Sequence, residues 1–117
     1  MTILILATAI MELLAGLALF FAPDKVPDFK EAPSSTITWG KMYGAAAFTA
    51  GVFAILTYLS MDPAVIKIFL QTFMVFHVWV GLAALLGYKK GDFANPGIAI
   101  LHAVFAVITI YFYTTTL

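Results

Sequence analysis

Glu12, His77 and His102 are the side chains that could move a proton or hold a ligand from inside long apolar runs of this sequence. A polar group at that depth in a bilayer is costly, so it needs a partner or a purpose. Glu12 lies eleven residues before Pro23, and His77 lies eleven before Tyr88. At about 1.5 Å per helical residue, the two count to one level near the bilayer centre. The chemistry on offer is a carboxyl–imidazole pair sharing a proton, with Glu12 and His77 as catalytic candidates. The same pair could instead be a hydrogen bond that fixes one helix against another.

Around that pair the count places a second polar layer. His102, six residues past Pro96, falls one to two turns closer to the helix ends, near Tyr43. Thr49 counts to the Glu12–His77 level, and Gln71 stands a turn and a half outward from His77. Tyr43, Thr49, Gln71 and His102 are therefore the ligand-binding candidates. A quinone- or sterol-like head group would lodge between the layers, its apolar tail passing Met74 and Phe105. Two histidines also raise a haem, whose axial ligands need nearly equal depth. Here the count separates them by roughly 6–9 Å, which disfavours bis-histidine haem and a metal held by Glu12, His77 and His102. No metal is expected, and the sequence names no cofactor.

The elements that must position these residues are four apolar runs, at about 2–22, 37–59, 63–88 and 96–114. Each approaches or exceeds the roughly 20 residues that cross a bilayer as a helix. They fill most of the 117 residues, of which 63% are hydrophobic and 10% charged, with a mean hydropathy of +1.04. Soluble domains carry about 25% charged residues, so the expected fold is all-α: a single antiparallel four-helix transmembrane bundle over 1–117, up-down-up-down. Zero net charge without a basic block disfavours nucleic acid. The absence of cysteine removes thiolate nucleophiles, disulfide exchange and cysteine-held metal clusters.

Local signals mark the helix ends. Pro23 stops the first run, and a polar loop with a short interfacial turn at 26–29 follows. Ser35 or Thr36 would cap the second helix. Asp62-Pro63 and Asn95-Pro96 each set an acceptor before a proline at the first helical position. Gly40, Gly44, Ala47 and Gly51 recur at four, three and four, a spacing that lets two helices approach closely in lipid. The His102 face continues through Ala99, Ala106, Thr109 and Tyr113, and the third helix should end near Gly87. Lys25, Lys30, Lys41, Lys89 and Lys90 cluster at one side against Lys67 at the other, so loops 23–38 and 89–95 are expected in the cytoplasm and both termini outside.

The stretch from Glu12 through Leu-Leu-Ala-Gly-Leu-Ala-Leu-Phe-Phe-Ala to Pro23-Asp24, followed by a polar loop and Trp39-Gly-Lys-Met-Tyr43-Gly-Ala-Ala-Ala47, resembles the DoxX-like group of small four-helix membrane proteins. The resemblance covers the first half, and the second half in outline through its late-helix histidine. It implies four antiparallel helices. Some members of that group are linked to quinone-dependent sulfur oxidation, but a chain without cysteine cannot use a thiol-based version of it. Two function classes follow. One is a non-enzymatic accessory subunit or binder of a small hydrophobic ligand. The other is a lipid-phase enzyme or redox partner acting on a quinone- or sterol-like substrate. The partners expected are membrane lipids, a quinone or similar hydrophobe, and further copies or subunits of a membrane complex.

Overall fold

Helix-ending signals decide where this chain turns, and the computed structural model, which describes residues 1–26 and 29–116, shows four long helices. They are α1 (Thr2–Phe21), α2 (Ser34–Ser60), α3 (Pro63–Lys90) and α4 (Gly97–Thr116), with a short 3-10 turn at Pro23–Lys25. The described residues contain no strand. All four helices are long and apolar enough to cross a membrane, which supports an integral membrane location. The chain divides into two compact units, Thr2–Leu59 and Ser60 to the C-terminus (with Met1), each a helical hairpin.

In the first hairpin, α1 and α2 run antiparallel: Gly44 lies against Gly16 and Phe20, and Gly51 against Leu13. The approach is backbone to backbone. A Cβ on Gly16 would stand 2.6 Å from the Phe48 nitrogen and 2.8 Å from the Gly44 oxygen. Glycine is needed here because nothing else leaves that space. The expected small-residue face is the buried one: Gly40, Gly44, Ala47, Gly51, Ala54 and Thr57 line the interior side of α2.

The second hairpin joins α3 to α4; Asp62 caps α3 as the sequence signals, while α4 begins at Gly97, one residue past the expected first position at Pro96. Asp62 Oδ1 accepts from the amides of Ala64 (2.8 Å) and Val65 (3.3 Å), and Asn95 Oδ1 accepts from Gly97 (2.9 Å). Gly91 takes the left-handed conformation (φ 84°) that ends α3, donating to Tyr88 O, while Asp92 N–H donates to Gly87 O. The buried stripe of α4 is Ala99, His102, Ala106 and Thr109.

Three boundaries differ from expectation by two residues or more. α2 begins at Ser34, so Ser35 and Thr36 lie inside it and are not caps. The Ile37 amide already donates to Pro33 O, and the Thr38 hydroxyl folds back onto Ser34 O, so serine and threonine here serve the helix interior. α3 continues past Gly87 to Lys90, because the missing side chain of Gly87 accommodates the Phe93 ring and Gly91 provides the stop. α4 reaches Thr116, with Thr114 and Thr115 hydroxyls bonded to carbonyls one turn back. The turn expected at 26–29 includes residues 27 and 28, which lie outside the described residues.

The surface is as apolar as the interior. Ile3 on α1, Leu59 on α2, Trp79 on α3 and Val107 on α4 are each at least two-thirds exposed. In a bilayer such side chains face lipid, which removes the cost that water would impose.

Candidate functional site: a buried histidine pair

All four buried positions of α4 are small or polar, and one of them, His102, meets α3 directly. His77 Nδ1 and His102 Nδ1 are 2.9 Å apart, a hydrogen bond between two buried imidazoles. Gly81, one turn after His77 on the same face, lies against α4 at the level of His102. A Cβ there would stand 3.4 Å from His102 Cβ and 3.7 Å from Ala99 O, so α4 packs against this turn without a side chain intervening. Nothing in the sequence reading singled out Gly81, although a glycine four residues from a buried polar residue was the available signal.

The pair is enclosed by rings. Phe76 and Phe105 have centroids 5.4 and 5.1 Å from that of His77, and Phe73 lies at 5.6 Å. Phe76 also stands edge-on to His102 at 6.1 Å. Phe69 and Phe73 are wholly buried.

Hydrogen-bond bookkeeping defines what the pair can do. A neutral imidazole has one N–H and one lone pair. The Nδ1···Nδ1 contact uses a donor from one ring and an acceptor from the other. Two Nε2 atoms remain, one an N–H and the other a lone pair, and moving both protons exchanges the roles. His77 Nε2 is fully buried and has no hydrogen-bond partner among the described residues. An unpaired buried polar atom costs about 1–3 kcal/mol, so it marks a group built for something other than packing.

The contact is made across the offset that depth counting gives. Gly81, four residues past His77, stands against His102, Ala99 and Ala103, so the His77 and His102 backbones differ in level by about 6 Å, and the two side chains span that distance to meet at Nδ1.

Gln71 Nε2 donates to Tyr113 O–H at 3.2 Å, bridging α3 and α4 at an exposed position nearer their outer ends. Thr49 is exposed and its hydroxyl donates to Ala45 O (2.9 Å), so it points away from the buried stripe of α2. Its depth was counted without its angle: two residues from both Ala47 and Gly51 is about 200° around the helix. Tyr43 is half-buried on α2. In the first hairpin Glu12 is buried at 1% exposure, and neither its Oε1 nor the buried Thr8 hydroxyl one turn earlier has a hydrogen-bond partner among the described residues.

No protein-family model matches this chain, and no curated protein or solved structure matches it significantly.

Proposed function

We propose that this integral membrane protein binds a small hydrophobic molecule through a hydrogen-bonding head group presented to the His77–His102 pair. In this role it acts as a non-enzymatic binder or accessory subunit of a membrane complex. The observation that carries the proposal is the fully buried, unpartnered Nε2 of His77 beside an Nδ1 already engaged by His102. Interhelical hydrogen bonds within membranes contribute only about 0.6–2 kcal/mol. Two leucines would join α3 to α4 without desolvating two imidazoles, so helix pairing alone is a poor account of the pair.

The chemistry of the pair favours a head group that can both accept and donate. One Nε2–H meets a carbonyl oxygen, and the opposite protonation arrangement meets a hydroxyl. Quinone and quinol heads have those two forms, and a sterol hydroxyl satisfies either. The DoxX-like resemblance of the first half belongs to the same proposal. The test is lipid-extract mass spectrometry of the protein purified in mild detergent. A carbonyl- or hydroxyl-bearing hydrophobe should accompany the wild type and be lost from His77→Phe, while Gln71→Leu retains it. Equal retention by His77→Phe would overturn the proposal.

A further inference from the structure

The first hairpin carries a separate cleft that the histidine pair does not use. It has a volume of about 330 Å³, with Gly16 at its floor, Leu17, Phe20 and Phe48 on its walls, and Ala45 and Thr49 along α2. Leu17, Phe20 and Phe48 are each about 40% exposed, so the cleft opens on the outer face of the hairpin. It exists because Gly16 and Ala45 are small where their neighbours are aromatic. The Thr49 hydroxyl is already bonded to Ala45 O, leaving no free donor along the cleft.

We infer that this cleft seats one acyl chain of an anionic phospholipid, with Lys41 holding the phosphate. Lys41 stands one turn before Ala45 and two before Thr49, on the same face of α2. Helical side chains lean toward the helix N-terminus, so its ammonium is directed out of the cleft toward the membrane surface. There Trp39, exposed at 69%, marks the interfacial level. Lys41 is exposed and enters no ion pair among the described residues. Apolar cleft below and free cation above match the two parts of an anionic lipid.

Charge selects this occupant over a helix from a second copy. The cleft lining is apolar apart from Thr49, and Lys41 at its surface end enters no ion pair among the described residues. A phosphate above an acyl chain matches that cation, whereas an apolar helix leaves it unmatched.

The test is native mass spectrometry of the full chain with phosphatidylglycerol and phosphatidylcholine of matched acyl chains. The wild type should bind the first phosphatidylglycerol about fivefold more tightly, the effect of ~1 kcal/mol from one lysine near an anionic group. Lys41→Gln should bring the two lipids to parity. Ala45→Phe fills the cleft from an exposed position and should lower retention of both lipids severalfold, as should Thr49→Phe from the other end. Equal affinity of the wild type for both lipids would overturn the inference, as would a preference that survives Lys41→Gln. A dimer abolished by Ala45→Phe with lipid retention unchanged would assign the cleft to a second copy instead.

Discussion

Gly16→Ala should destabilise the first hairpin although alanine is the better helix former. The added Cβ would stand 2.6 Å from Phe48 N, 2.8 Å from Phe48 Cα and 2.8 Å from Gly44 O. All three are backbone atoms, so no side chain can swing aside. Ordinary Cβ contacts begin near 3.4 Å, and α1 and α2 must therefore part locally by about 0.8 Å. A gap of 0.5–1 Å forfeits a quarter to a half of each dispersion contact along the seam. Overpacking of this kind costs about 1–3 kcal/mol, against about 0.5–1 kcal/mol gained from alanine's helix propensity. The net expectation is a loss of about 1–2 kcal/mol. Gly81→Ala is the control: its nearest contact would be 3.4 Å, so propensity dominates and stability should hold or rise slightly. Gly44→Ala, with backbone contacts at 2.9 Å, should fall between them, and Gly44→Leu should be worse than all three. Reversible unfolding in mixed detergent–SDS micelles measures the series. A Gly16→Ala protein as stable as the wild type would refute the close backbone approach.

Four further outcomes follow from the geometry. His102→Leu should cost about 1–3 kcal/mol by leaving His77 Nδ1 buried and unpaired. The double His77→Leu/His102→Leu variant should regain much of that, and equal losses in both would show that the bond itself matters little. Imidazole nitrogen NMR should show an N–H···N coupling between the two Nδ1 atoms, absent in His102→Leu. Asp62→Ala removes the acceptor for two amides at the start of α3 and should cost about 0.5–2 kcal/mol in the same unfolding assay, no change meaning that water replaces the cap. A single cysteine at Ser34, in a chain with none of its own, should resist an impermeant thiol reagent in intact cells if the lysine-rich loops are cytoplasmic, and ready labelling would invert the topology.

Features written in short spans of sequence were legible, and those that depend on how two side chains reach across a hairpin were not. Asp62-Pro63 and Asn95-Pro96 specify caps through residues adjacent in the chain, and both caps form. The 40/44/47/51 spacing and the Ala99, His102, Ala106, Thr109 stripe are helix periodicity, and both faces are buried. The His77–His102 contact depends instead on side-chain reach: Gly81 is level with His102, so the two backbones are offset by about one turn. A count of levels does not contain the rotamers that close that distance to 2.9 Å. Thr49 shows the complementary error, since its depth was estimated while its angle, also present in the sequence, was left out.

Depth and angle together recover more than either alone. His77 and Gly81 are four residues apart and so about 40° apart on α3, which makes a notch immediately beside a buried imidazole. The α4 residue able to enter such a notch must be polar, on a buried stripe, and flanked on that stripe by small side chains. His102, between Ala99 and Ala106, meets all three conditions. The pairing is thus implied by the sequence once glycine is treated as a position that admits a neighbour. Gly81→Leu should therefore break the histidine contact without altering either histidine. The N–H···N signal should vanish and the co-purified ligand with it, although both imidazoles remain. Persistence of that signal in Gly81→Leu would show that the contact does not depend on the notch.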